Sequence, residues 1–346
     1  MEKKQNKWLV RVSCMTFNQA RYIVDAMNGF TMQETTFPFV CTIIDDASTD
    51  GEPEVIRNYL QENFDLEDKA VVRNEETDDY VLCFAQHKTN KNCYFAVLWL
   101  KYNHYSIKKT RLPYVAEWNN NAKYIAICEG DDYWLDSLKL QKQKNYMESH
   151  PNCNYLFSDR YIDLVKSGIR LEIRYKKNIY SRKDVLRGFI PGLQTVFYRK
   201  KILDDGSYFK IKGVNGDRLL PYFACSHGEI HCLHEITAVY RATGEGVSTS
   251  ISQDVLYEHL VNDIYRFHNN LGIKDFWAYY YLQGRQIGNA RGKNVVKRLQ
   301  NVCKIFKSID DSFKIYYLPI LIYFYLLRKI KDKFGLGDPQ KISHVM

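Results

Sequence analysis

The apolar positions of this 346-residue chain fall into short runs that each close on a polar cluster. Leu9 to Met15 ends in Thr16-Phe17-Asn18-Gln19, after which Tyr22, Ile23, Ala26 and Met27 recur at helical spacing. Phe39 to Ile44 ends in Asp45-Asp46-Ala47-Ser48-Thr49-Asp50-Gly51. Tyr124 to Cys128 ends in Glu129-Gly130-Asp131-Asp132-Tyr133-Trp134, and a helical stretch from Leu138 to Met147 follows. Continuous apolar runs of this length suit strands covered on both faces. Their alternation with helical patterns through residue 160 predicts an α/β fold around a mostly parallel sheet. Later strands are expected at Asn154 to Ser158, Thr195 to Tyr198 and Ile230 to Val239. Asn58 to Asp68 reads as a helix end and a loop, and Glu75 to Asp79 as an acidic turn.

The strand exits carry the candidate chemistry. Ligands of open α/β sheets bind beyond the carboxyl ends of strands. Carboxylates crowded on one turn repel each other unless a hard cation neutralises them, and oxygen donors of this kind suit Mg²⁺ or Mn²⁺. Glu129, Asp131 and Asp132 are therefore the first candidates. A local alternative is an acidic turn that only introduces the next helix, which Asp136 and Ser137 are placed to cap. Asp45 has its own local alternative, an Asx turn.

Taken in order, Val12 to Asn18, Ile44 to Gly51, Lys123 to Trp134 with Lys139-Leu140-Gln141-Lys142-Gln143, and finally Gly216-Asp217-Arg218-Leu219-Leu220 with Val239 to Ser248 resemble the blocks of the family-2 nucleotide-sugar glycosyltransferases. The resemblance spans about residues 7 to 250 and implies a GT-A fold, a Rossmann-like central sheet flanked by helices. It implies that Thr16, Phe17 and Asn18 line a nucleotide pocket and that Asp46 bonds a uracil-type base or its ribose. It also implies that Asp131 and Asp132 are the metal and ribose-phosphate carboxylates, and that Asp217 is the base that deprotonates an acceptor hydroxyl in an inverting transfer. Asn103, in the run Lys101 to Ser106, is similar to an asparagine common before the acidic motif. Lys108, Lys109 and Arg111 follow it, where cations could meet a diphosphate or form a solvated basic face. Two departures stand out: Glu129 occupies a place often held by Asp, and Gly216 precedes Asp217 where many members carry Glu. For Asp217 the local alternative is a helix N-cap before Arg218 to Ala224.

Composition narrows the setting. With 45% hydrophobic residues the chain can bury a large core, expected as a GT-A domain over 1–250 and a helical region over 251–346. The nine cysteines include no Cys-x-x-Cys pair, which argues for a reducing compartment and against a disulfide framework or a zinc site. The charged start, Met1 to Lys7, has no signal-peptide pattern, and the expectation is a cytoplasmic catalytic domain. Between Arg291 and Lys333, eleven cations face three carboxylates, so this segment carries +8 of the chain's formal +9. Inside it the apolar, aromatic run Tyr316 to Leu327 falls short of the roughly 20 residues a spanning helix needs. Residues 313–333 are thus expected either to lie peripherally on an anionic membrane surface or to pack as a helix.

These features order the function classes. A nucleoside-diphosphate-sugar transferase, acting on a saccharide or lipid-linked saccharide in cell-surface polysaccharide synthesis, accounts for all the blocks. A sugar-nucleotide nucleotidyltransferase would be expected to open with a glycine-rich phosphate loop where Thr16-Phe17-Asn18-Gln19 stands. A dinucleotide oxidoreductase lacks its Gly-x-Gly-x-x-Gly. Nucleic-acid binding would explain the charge and leave the acidic exits unexplained. A transferase-like binding protein without activity remains an alternative because of Gly216-Asp217.

Overall fold

The computed structural model describes residues 8–186, 189–204, 206–211, 216–244 and 340–345, with isolated helical positions at Asp263, Pro319, Ile322, Tyr323, Leu326 and Ile330. The chain runs β1 (Trp8–Thr16), α1 (Ile23–Thr31), β2 (Phe39–Asp45), α2 (Glu52–Asn63), β3 (Phe64–Asp65), β4 (Arg73–Glu76), β5 (Tyr80–His87) and β6 (Cys93–Leu100). It continues through α3 (Ala116–Asn120), β7 (Ala122–Ile127), β8 (Tyr133–Trp134), α4 (Lys139–Ser149), β9 (Cys153–Leu164), β10 (Ile169–Tyr175) and β11 (Ile179–Tyr180). Then come α5 (Arg182–Leu186), β12 (Phe197–Arg199), α6 (Ser207–Lys210), α7 (Gly216–His227), β13 (Glu229–Ala242) and β14 (Gln340–Val345).

The described strands form one sheet with the path β11-β13-β9-β12-β7-β1-β2-β6-β5-β3. Its heart, β7-β1-β2-β6, is parallel, and antiparallel strands extend it on both sides. β1 and β2 are mostly apolar and largely buried because helices or loops cover both of their faces. On one face Ile23, Met27 and Phe30 of α1, Ile56 and Leu60 of α2, and Leu140 and Met147 of α4 pack onto Val12, Cys41 and Ile43. On the other, Val115 and Trp118 cover Val40, Ile44 and Leu98. A third cluster joins α7 to β9 through Leu219, Leu220, Phe223, Tyr155 and Phe157. Arg11, buried in β1, donates to Thr42 Oγ1 and Asn119 Oδ1 at 2.8 and 2.7 Å, which satisfies a charge that would otherwise be costly there.

Several local expectations are adjusted. Of the stretch Glu75 to Asp79 read as an acidic turn, Glu75 and Glu76 end β4, which pairs with β5 through Arg73 to Glu76, and Thr77 to Asp79 form the turn, closed by Thr77 N–H donating to Tyr80 O. An exposed edge strand with polar side chains has no apolar alternation to reveal it. The region from Asn58 continues α2 to Asn63 and then enters β3. β9 and β13 extend well beyond their apolar centres, and Thr195 belongs to a 3-10 turn, Leu193–Thr195, before β12.

The division at residue 250 and the basic aromatic segment 313–333 lie almost wholly outside the described residues. Asp263 is buried and meets the buried Arg218 of α7 at 3.5 Å. Pro319, Ile322, Tyr323, Leu326 and Ile330 are helical and exposed. Among the described residues, no helix is long and apolar enough to cross a membrane.

Candidate active site

The register of the parallel heart brings three strand exits side by side. Thr16 at the end of β1 lies opposite Asp45 at the end of β2, and the ladder continues as Asp46 N–H donates to Thr16 O at 3.0 Å. On the other flank, Cys128 N–H donates to Ser13 O and Gly130 N–H to Met15 O, at 3.1 and 3.0 Å. The acidic motif thus runs directly along the first exit. The contact is close enough that a Cβ on Gly130 would lie 2.3 Å from Thr16 Oγ1 and 2.6 Å from Gln19 Oε1.

Glu52, the first residue of α2, organises the first two exits and was not among the residues singled out by sequence. It is fully buried, and its carboxylate accepts from Thr16 Oγ1, from Gln19 N–H at 2.9 Å and from Ser48 Oγ at 2.8 Å. Burial raises its pKa, against the pull of those hydrogen bonds. The clue available in sequence is an acidic residue opening a helix directly after Asp50-Gly51, where Gly51 takes φ 89° at the N-cap. Among the described residues, the non-glycine positions with positive φ, Asn18, Ala47 and Lys108, all lie in the loops around this cleft. Such backbone strain persists only where neighbours over-determine it.

The residues implied for a nucleotide pocket divide by what they already bind. Phe17 is exposed. Asn18 bridges the two loops: its N–H donates to Ser48 Oγ and its Oδ1 accepts from Thr49 N–H, each at 2.8 Å. The Thr16 hydroxyl is turned into the Glu52 network rather than outward. Asp46 is buried and accepts from His104 N–H, Tyr105 N–H and Arg111, at 2.7, 3.0 and 2.9 Å. Those bonds fold the 103–111 loop against β2, and since a carboxylate offers about four lone-pair sites, one remains for an outside donor. Asn103 Oδ1 accepts from Ser106 N–H at 2.7 Å and closes its own turn. Asp45 Oδ1 accepts from Ser48 N–H at 3.0 Å, the Asx-type turn expected of it. Lys109 pairs with Asp79 at 2.6 Å, away from Asp46.

The acidic motif is electrostatically strained. Burial pushes Asp132 well up, and the charge of Asp131 adds to this. Burial likewise raises Asp131, opposed by Arg241 and Gln19. Glu129 is open to water at the bottom of a crowded cleft, and that crowding, followed by repulsion from Asp131 and Asp217, pushes it up to about 7. Arg241 of β13 braces the motif: its N–H donates to Asp132 Oδ1 at 2.8 Å and its guanidinium to Asp131 O at 3.2 Å. The same guanidinium pairs with Asp25 and stacks 4.2 Å from the Tyr133 ring. Asp217 lies in the first turn of α7. Its charge contributes to the raised pKa of Glu129, Tyr155 and Tyr208, so it lies within electrostatic reach of the acidic motif. The protein around it raises its own pKa, although the side chain stays exposed.

Among the described residues, Glu129, Asp131 and Asp132 do not bring three ligand atoms within 4.8 Å of one another. The donors are nevertheless all hard oxygens whose charged forms the surrounding protein desolvates, and a divalent cation would stabilise those charged forms. The residues therefore fit a Mg²⁺ or Mn²⁺ ion that takes the rest of its ligands from a bound phosphate.

No family model matches the chain. Uncharacterized proteins of Mycobacterium bovis and Mycobacterium tuberculosis are 28% identical to it over 243 residues, 69% of this chain and 60% of their own length. The chain thus spans less than two thirds of these relatives. Among solved structures, TarS 1-349 of S. aureus in complex with UDP-GlcNAc superposes with a TM-score of 0.54 at 14% identity, covering 94% of this chain and 92% of that 1-349 chain. The complex of the same protein with UDP gives 0.52 at 13% identity, with the same coverage. The fold is of the GT-A type.

Proposed function

We propose that the protein is an inverting glycosyltransferase that moves a sugar from a nucleoside-diphosphate sugar to an acceptor hydroxyl. The observation that carries this reading is the convergence of three strand exits on one cleft, with the crowded carboxylates of Asp131 and Asp132 along one wall and Asp217 within electrostatic reach of Glu129. Asp131 and Asp132 would hold Mn²⁺ or Mg²⁺, which when bound offsets the charge of the donor diphosphate. Phe17 offers the base a stacking face, and the remaining acceptor site of Asp46 suits a uracil-type ring N–H. Thr16, Asn18 and Asn103 act by shaping the loops around the nucleotide. Asp217 takes the proton from the acceptor hydroxyl as its oxygen bonds to the anomeric carbon and the bond to the diphosphate breaks. The raised pKa of Asp217 favours that proton transfer. Because the attack is direct, no second nucleophilic carboxylate is required. The 251–346 region is read as a helical appendage, and the 313–333 segment, with exposed Ile322, Tyr323, Leu326 and Ile330 and flanking cations, as a peripheral contact with an anionic leaflet. That contact suits a lipid-linked saccharide acceptor handled in the cytoplasm for polysaccharide synthesis.

The test is a panel of nucleotide sugars offered with Mn²⁺ and scored by nucleoside-diphosphate release. One donor should be turned over, EDTA should stop the reaction, and Asp131→Ala or Asp132→Ala should lower turnover by orders of magnitude. Full activity of either variant after exhaustive chelation would remove the assignment.

A further inference from the structure

A second cluster of metal-ligating side chains lies outside this cleft. Cys232 and His234 alternate on β13 and so share a face, and Asp159 projects from the neighbouring β9. Cys232 Sγ is 3.9 Å from Asp159 Oδ1 and 3.8 Å from His234 Nδ1, and His234 Nδ1 is 3.8 Å from Asp159 Oδ2. With a single oxygen taken from Asp159, the three ligand atoms lie within 4.8 Å of one another, so a modest shift of the side chains brings them to the edges, about 3.3–3.8 Å, of a tetrahedron built on metal–ligand bonds of about 2.0–2.3 Å. We propose that Asp159, Cys232 and His234 bind a borderline-soft divalent cation of the Zn²⁺ class, with water in the fourth position.

Three further observations support the site. His234 Nε2 lies 2.8 Å from Asn178 Oδ1, which makes Nε2 the protonated nitrogen and turns the Nδ1 lone pair toward the thiol and the carboxylate. A ligating imidazole is usually held this way, through its other nitrogen. Asp159 is fixed by Tyr175 N–H at 2.9 Å to Oδ1 and by Arg174 at 3.2 Å to Oδ2, and Asn178 O also accepts from Cys232 N–H at 2.8 Å. The register of β13 against β9 shifts here: Leu233 faces Ser158 and Ile236 faces Asp159, so His234 sits in a bulge. Asp159 and Cys232 are buried while His234 is 40% exposed, which leaves solvent access for the fourth ligand.

Binding replaces the thiol proton, which passes to solvent, and one thiolate with one carboxylate neutralise the dication. The donor set of sulfur, nitrogen and oxygen sorts Zn²⁺-class ions from the all-oxygen acidic motif that suits Mg²⁺ or Mn²⁺. The consequence for the fold is a pinned bulge. Just past it, Thr237 O accepts from Leu135 N–H at 2.9 Å, and Ala238 and Val239 pair with β8, which carries the acidic motif's tail.

The test uses the full chain, stripped by EDTA and titrated with Co²⁺ as a coloured stand-in for Zn²⁺. One equivalent should bind with a thiolate-to-cobalt charge-transfer band and the visible spectrum of a tetrahedral ion, and Zn²⁺ should displace it. Cys232→Ser should lose the charge-transfer band, and His234→Ala, at an exposed ring whose loss the fold tolerates, should weaken Zn²⁺ binding at least tenfold. Asp131→Ala should leave both unchanged. No band in folded wild-type protein, a band reached only at millimolar Co²⁺, a band that survives Cys232→Ser, or one that disappears in Asp131→Ala would each overturn the proposal.

Discussion

Glu52 allows the coupling of the first two strand exits to be tested directly. Its carboxylate receives a hydroxyl donor from Thr16, a backbone donor from Gln19 and a hydroxyl donor from Ser48, all inside the protein. In Glu52→Ala the two hydroxyls can rotate to other partners, whereas the Gln19 amide cannot. One orphaned buried donor costs about 1–3 kcal/mol, and loss of the packed side chain brings the total to about 2–4 kcal/mol. Glu52→Gln is milder by construction. Its amide can face Thr16, whose hydroxyl then accepts and donates onward to Gln19 Oε1 at 2.9 Å, so the cost is about 1 kcal/mol. Thermal unfolding should therefore rank the variants wild type, Gln, Ala, with the alanine protein melting several degrees lower. Nucleoside-diphosphate affinity by calorimetry should fall in the same order, by at least tenfold for alanine, although Glu52 itself is buried away from any ligand. An alanine variant that melts with wild type, or one that is destabilised yet binds nucleotide unchanged, would refute the idea that Glu52 holds the pocket in shape.

Gly130→Ala should disturb the junction of the first and third exits: with Thr16 Oγ1 at 2.3 Å from the added carbon, overpacking of about 1–3 kcal/mol is expected in a melting experiment, together with loss of turnover. Asp217→Asn should lower transfer by about 10²–10⁴-fold while calorimetric donor affinity survives; lost affinity with retained turnover would move Asp217 to the donor site. Glu129 is pushed from 4.5 up to about 7, so in that window the folded protein holds a proton that the unfolded chain has released, and the stability of metal-free protein should fall as pH rises through it. Mn²⁺ should accordingly raise the melting temperature more above that window than below it, and an equal rise at both ends would contradict the reading.

Much of this cleft is legible in sequence because each wall is one uninterrupted segment: an apolar strand and the polar turn that leaves it. Unlike the order of the strands in the sheet, the acidic pair Asp131–Asp132, the Asp45 turn and the three strands that end at the cleft all follow from such local patterns. Glu52 is not, since its role depends on Thr16, Gln19 and Ser48 arriving from two other loops. Arg241 lies in a recognisable block, but its brace on Asp131 and Asp132 comes from β13 crossing to β8, a long-range pairing that periodicity does not encode. Asp46 shows the same limit from the other side. Its residue type marks a binding position, while the share of its oxygens already taken by His104, Tyr105 and Arg111 emerges only when the 103–111 loop is folded onto it. The scattered cysteines argue in sequence against a zinc site, and the Cys232-x-His234 pair becomes a candidate only once Asp159 joins it from a neighbouring strand.

The pairing of β10 with β14 bears on how the chain is made. Arg170 faces Val345 and Tyr175 faces Gln340, so among the described residues the strand that completes the outer edge of β10 is synthesised more than 160 residues after β10 itself. Throughout that interval β10 offers unpaired N–H and C=O groups to any passing strand, the situation that favours aggregation of nascent chains. Shortened versions made to probe the basic 313–333 segment would keep that edge bare permanently. Charge-reversing substitutions within 313–333, which leave β14 in place, are therefore the cleaner way to separate lipid contact from sheet completion.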